Sequence, residues 1–207
     1  MSTATYPGRL TRDNAALLIV DHQVGLLTGV RDIDVLTLTH NIVGLAKAMV
    51  ALKVPVVVTT TTEGLWGPLI PELEAALPGV DRIERTTVNA WDDPRVVAAV
   101  KATGRKNLIV TGVSTDVCLA FPAMSALHDG YVTYAAVDAS GAFSKEQAEY
   151  GVQRMIQAGV IPVCYSNVAV EILADNAAPE AMEVYGALSM PFAGLVTGLG
   201  QYFASKK

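Results

Sequence analysis

Few side chains in this sequence pair nucleophilic or basic chemistry with a position that could use it, and Cys118 is foremost among them. It lies in "GVSTDVCLAFPA", Gly112 to Ala123, directly after the apolar run "NLIV". Pro122 follows shortly after, and proline is tolerated in a helix only where its missing N–H would have no intrahelical partner, within about the first turn. The proline therefore sets a helix start close to Cys118. A helix N-terminus presents free N–H groups and the positive end of the helix dipole, which lower a thiol's pKa and can hold an oxyanion. Taken alone, the same thiol also fits a buried structural role, because free cysteine is among the most buried residue types.

Asp21 closes the run "AALLIVD". It reads either as a cap for the segment that follows or as a carboxylate base that converts Cys118 to thiolate. Arg85, in "RIERTTVNAW", falls near the end of a weaker strand candidate. Cys164 sits inside "VIPVC" and reads as a core thiol, while His22, His40 and His128 have no metal-ligand spacing and read as polar or capping residues. Asn89 and Trp91 in the "NAW" loop, and Thr62, Glu63 and Trp66 after the second apolar run, either line a substrate pocket or pack their own loops.

Bringing these separate segments together requires a particular scaffold. Short, continuous Val- and Ile-rich runs at Ala15 to Asp21, Val54 to Thr60, Asn107 to Gly112, Tyr131 to Asp138 and Val160 to Cys164 predict strands buried on both faces. Helical spacing fills Val35 to Leu52, Pro94 to Thr103, Asp116 to Asp129 and Lys145 to Ala158. Such alternation predicts an α/β fold with a Rossmann-like, doubly wound, mostly parallel sheet and helices on both faces. Ligands in open sheets of this kind bind beyond the carboxyl ends of the strands, where Asp21, Arg85 and Cys118 all fall. The turn after the first strand, "DHQVGL", holds neither GxGxxG nor a Walker lysine, so no nucleotide cofactor is implied.

The 207 residues fit one domain spanning the whole chain, and the apolar tail from about Asp175 is expected to dock on the body or on a neighbouring subunit. Hydrophobic residues make up 51% and charged residues only 17%, which predicts surface buried between copies in a homo-oligomer. A net charge of −5 without a basic face argues against nucleic acid as a partner. The N-terminus "MSTATYPGRLTRDN" lacks an apolar signal core, and "ALSMPFAGLVTGLG" is too short and glycine-rich to span a bilayer, so a cytoplasmic protein with no membrane partner is expected. Two cysteines without CxxC or Cys/His spacing predict neither a disulfide nor a bound metal.

The stretches "ALLIVDHQ" and "LIVTGVSTDVCLAFPAMSALHDGY" resemble signatures of the isochorismatase-like cysteine hydrolases. More narrowly, "NAWDDPRVVAAVKATGRKNLIVTGV" and "VDASGAFS" resemble the YcaC-like subgroup, the likeness running from about Leu10 to about Cys164. The resemblance implies a three-layer Rossmann-like fold and an Asp–Lys–Cys triad whose thiolate attacks an amide-type carbon. It also implies a cis peptide between Val113 and Ser114, an oxyanion hole from backbone N–H groups at Ser114 and Cys118, and a ring-based octamer. Two departures follow. Where the family's lysine belongs, "DRIERTTVNAW" offers only Arg82 and Arg85, and Arg85 is the better positional match. Arginine keeps its proton, so it can stabilise a thiolate, hold Asp21 or orient a substrate, and Asp21 must serve as base alone. The metal histidines of the nicotinamidase branch are missing from "VVVTTTTEGLWGPLIPEL". The expected activity is metal- and cofactor-independent hydrolysis of a small-molecule amide-type C–N bond by Cys118, Asp21 and Arg85. The alternatives are vinyl ether hydrolysis, which needs no cysteine, and a non-catalytic, assembly-forming member of the fold.

Overall fold

Alternate residues of Ala15–Val20 point to opposite sides of a sheet, and every one of them is buried. The computed structural model describes residues 9–206; residues 1–8 of the polar N-terminal stretch lie outside the described residues. Six parallel strands, β1 Ala15–Val20, β2 Val56–Thr61, β3 Arg82–Arg85, β4 Asn107–Gly112, β5 Val132–Ala136 and β6 Ile161–Val163, lie in the order β3-β2-β1-β4-β5-β6. The α/β, doubly wound, parallel arrangement is therefore present.

Short helices α1 Val24–Leu27 and α3 Glu63–Trp66 stand at the carboxyl ends of β1 and β2. One layer is formed by α2 Val35–Ala51 and α4 Pro71–Ala76, together with α8 Tyr165–Leu173 and α9 Ala181–Leu188 further along the chain. Leu17 and Ile19 pack into this layer with Leu38, Leu45, Leu73, Val168 and Val184. The opposite layer consists of α5 Pro94–Ala102, α6 Ala120–His128 and α7 Lys145–Ala158. Leu18 and Val20 face it, packed with Val96, Val100, Ala120 and Met155. The period of two along one strand thus divides the protein into two apolar cores. Asp34, Asp93 and Ser144 cap α2, α5 and α7 by accepting the N–H groups of Thr37, Arg95 and Gln147.

Three sequence expectations shift. The helix expected from Asp116 begins instead as a π-helical turn, Thr115–Leu119, and becomes regular at Ala120, which puts Pro122 in the first turn of α6. The edge strand β6 stops at Val163, so Cys164 is not a core thiol: it is exposed, at the N-cap of α8. The tail divides, because α9 buries Ala181, Val184 and Leu188 on the body, whereas α10 Pro191–Ala204 leaves Phe192, Leu195, Leu199, Tyr202 and Phe203 exposed. Among the described residues, no helix is long and apolar enough to cross a membrane.

His22 is fully buried just past β1 and donates from Nε2 to the Ala139 carbonyl at 3.0 Å, joining the carboxyl ends of β1 and β5. Burial pushes its pKa down from 6.5 to about 4, so the folded protein holds the ring neutral. A group whose pKa is depressed on folding contributes stability above its unfolded pKa and loses it as pH falls through the folded value. Stability should therefore decline between pH 6.5 and about 4, by about 3 kcal/mol from this residue alone. Urea unfolding midpoints at pH 7 and pH 4.5 test this: His22→Gln should flatten the pH dependence, and an equal slope in the variant would refute the assignment.

Candidate active site

The strand order reverses between β1 and β4, and the chain segments leaving those two strands frame a crevice at the carboxyl edge of the sheet. Asp21 is the first residue after β1, held by its N–H donating to the Thr59 carbonyl at 2.9 Å, and it adopts φ 59°, a left-handed conformation that aspartate tolerates better than most residues. Cys118 is carried by the π-helical turn after β4. That turn rests directly on the strand it leaves, since a Cβ on Gly112 would lie 2.6 Å from the Cys118 carbonyl carbon. Ser140 clamps the same corner by accepting from Gly112 N–H and donating to the Ala136 carbonyl, while Thr115 N–H donates to Gly141. The Val113–Ser114 peptide bond in this turn is cis.

Arg85 closes β3, two strands away from β1, or roughly 9.6 Å at about 4.8 Å per strand. Only a long side chain spans that gap. Its guanidinium reaches Asp21 Oδ2 from Nη2 at 2.5 Å, with both side chains fully buried, and its Nη1 donates to the carbonyls of Thr87 and Val88. Arg82, the other cation of that segment, pairs instead with Glu63 and Glu74.

The electrostatics depart from the expectation of a helix-activated thiolate. Burial raises the Cys118 thiol well above its ordinary range, and the adjacent Asp21 carboxylate, to which it is hydrogen-bonded, raises it further. Arg85 and the Ser114 backbone N–H pull the other way but do not prevail. Burial also raises the Asp21 carboxyl, against the opposing pull of Arg85. Burial thus favours the neutral thiol at Cys118, beside an Asp21 carboxyl that burial raises and its Arg85 partner lowers.

A pocket of about 290 Å³ opens above Cys118, with Asp21, Cys118 and Ser114 at its base and Thr62 and Trp66 on its wall. Thr62, β-branched yet at φ 40°, is held in this left-handed conformation while its N–H donates to the Arg85 carbonyl. Buried Gln23 fixes the loop by donating to the carbonyls of Thr61 and Gly67 and accepting from Thr61 N–H. The other expected pocket residues lie elsewhere. Asn89 and Trp91 line a separate groove of about 490 Å³ on α6, because Trp91 Nε1 donates to Asp129 and Asn89 donates to Ser125. Glu63 is drawn off by its pair with Arg82 at 2.7 Å. In their place stand Thr86 and Val88, immediately after Arg85, Val117 before the thiol, Phe143 from the "GAFS" stretch, and Leu26 from α1. Adjacency to the site residues was the available signal for the first three. Among the described residues, no three His, Cys, Asp or Glu side chains converge to hold a metal ion.

Residues 15–166 match the family model of the isochorismatase domain. The probable hydrolase YcaC of Escherichia coli (strain K12) is 43% identical over 169 residues, 81% of each chain. Among solved structures, YcaC from Pseudomonas aeruginosa with hexane-2,5-diol and covalent acrylamide superposes with a TM-score of 0.88 at 38% identity, covering 95% of this chain and 98% of that one. The YcaC gene product from Escherichia coli, described as an octameric hydrolase of unknown specificity, superposes at 0.89 and 38% identity, covering 96% and 100%.

If Asp21 holds the thiol proton in place, Asp21→Asn should lower the Cys118 pKa, because the raising carboxylate goes and the Arg85 charge stays. Iodoacetamide rates against pH, followed by mass spectrometry in a Cys164→Ser background, measure it. An unchanged or higher midpoint would separate Asp21 from the thiol.

Proposed function

The chain belongs to the isochorismatase family of hydrolases, and from that premise we propose that it cleaves an amide-type carbon–nitrogen bond of a small molecule through Cys118, without a metal. The observation that carries this reading is the meeting of Cys118 and Asp21 in the lining of one small pocket, with Arg85 buried behind them and paired to Asp21. Further support comes from the covalent acrylamide on the Pseudomonas aeruginosa relative, which fits an enzyme with a reactive nucleophile.

In this mechanism the Cys118 proton passes to Asp21 as the sulfur attacks the amide carbon. Charge developing on the carbonyl oxygen is met by the backbone N–H groups of Ser114 and Cys118, fixed by the turn that carries them. Asp21 returns the proton to the departing nitrogen, ammonia or an amine leaves, and a thioester remains. Asp21 then takes a proton from water as its oxygen attacks the thioester, and the acid and free thiol are released. Arg85 keeps Asp21 aimed between the two partners and donates no proton, in keeping with a guanidinium that stays charged. Its second contact, to the Thr87 and Val88 carbonyls, needs the planar fork; a lysine ammonium at that depth would hold Asp21 but release the 86–88 wall.

A screen of small amides, ureas and hydroxamates for nitrogen release tests the activity. Cys118→Ala should abolish turnover, a loss of at least ~10³-fold, while leaving the unfolding midpoint near that of the wild type. Turnover that survives Cys118→Ala would overturn the mechanism and favour chemistry that needs no thiol.

The proposal extends to a homo-oligomer. Exposed Phe192, Leu195, Leu199, Tyr202 and Phe203 on α10 support burial against another copy, and the Escherichia coli relative is octameric. Light scattering at micromolar concentration should give a mass several times that of one chain, and a clean monomer would refute it.

A further inference from the structure

The pocket beside Cys118 offers a ligand no free charge. Of its lining residues only Asp21 and Cys118 are ionisable, and the rest of its wall is apolar or bears hydroxyl groups. Leu26, Trp66, Val88, Val113, Val117 and Phe143 supply the apolar surface, and Thr61, Thr62 and Thr86 supply neutral donors and acceptors. The nearest cation, Arg85, does not line the cavity. Its guanidinium is fully buried and engaged by Asp21 on one side and by two backbone carbonyls on the other. The nearest anion, Asp21, is already neutralised by that arginine.

Consequences for a ligand follow from solvation. A substrate carboxylate entering this pocket would shed water and meet no free cation in its lining. A substrate ammonium would find only a carboxylate whose charge is already balanced. An uncharged amide sheds far less, lays its hydrocarbon part against the six apolar side chains, and finds hydroxyl partners for its polar end. Size sets the other limit: about 290 Å³, at roughly 30 Å³ per water-sized group, holds about ten non-hydrogen atoms.

We propose that this site acts on small, uncharged, largely apolar amides and excludes amides that carry a carboxylate or an ammonium. The substrate class rests on the hydrolase reading above for its chemistry, but the ligand preference rests on the pocket alone, so the two can fail separately.

Pentanamide, glutaramate and 5-aminopentanamide form a nearly isosteric neutral, anionic and cationic set. Each is assayed in Cys164→Ser protein for ammonia release and, independently of turnover, for slowing of Cys118 alkylation by iodoacetamide at pH 9. Pentanamide should protect the thiol and be hydrolysed with a kcat/KM at least ~10²-fold above either charged analogue. Protection by pentanamide without hydrolysis of any amide would remove the hydrolase reading and keep the ligand class. Hydrolysis of glutaramate or 5-aminopentanamide as fast as pentanamide would overturn the ligand class and keep the hydrolase. Failure of all three to protect would overturn the ligand class outright. A second variant guards against a preference with another origin: Phe143→Lys places a cation at the half-exposed mouth and should shift the ratio toward glutaramate at least tenfold. An unchanged ratio would mean that amides do not occupy this pocket.

Discussion

An ion pair with no access to water holds the functional end of this protein together. Arg85 and Asp21 meet at 2.5 Å with both side chains fully buried, and the same guanidinium ties down the chain at Thr87 and Val88. Removing two charges from water is expensive, and losing one partner of such a pair typically destabilises a protein by about 3–5 kcal/mol, because the survivor is left uncompensated. The pair therefore acts less as a source of stability than as a constraint on geometry. It fixes the end of β1 relative to the end of β3 across the intervening strand, and so fixes where a carboxylate can stand beside the thiol.

The sheet supplies the remaining constraints. Because β1 and β4 are neighbours in register from Ala15 with Asn107 to Val20 with Gly112, their carboxyl ends finish level and the residues that follow face one another. Gly112 lets the turn bearing Cys118 lie on the strand, Ser140 anchors it, and Gln23 holds the opposite wall. Each contact is a side chain's hydrogen bond to the backbone or a close approach, so the site is built from rigid elements rather than from a long flexible loop.

Much of this was legible in the sequence where burial is complete. The run "NLIVTG" is β4 to the residue, and Lys145–Ala158 is α7 to the residue, because a doubly buried strand and a capped amphipathic helix each leave a clear pattern. The edges were less legible. In β3, "RIER" has almost no apolar signal, as an edge strand need bury little, and "VIPVC" gives no sign that the strand ends before its cysteine. Asp21, Arg85 and Cys118 could be placed because strand ends converge by topology. Asn89, Trp91 and Glu63 could not, since the direction of a loop side chain is decided by distant partners, here Ser125, Asp129 and Arg82. The sense of the thiol's pKa was likewise hidden: a helix start favours thiolate, but only the packed structure reveals how much burial opposes it.

A pocket whose only charges are paired and dehydrated has a kinetic character of its own. Mobile ions screen exposed charges over about 8–10 Å at ordinary ionic strength but reach a buried pair far less. A ligand without charge is neither drawn in nor turned away by the protein's field at long range, so its encounter proceeds at the unsteered diffusional rate. Ionic strength then becomes nearly irrelevant to capture. The protein could work across widely differing salt conditions without retuning its site, having given up electrostatic speed for indifference to its surroundings.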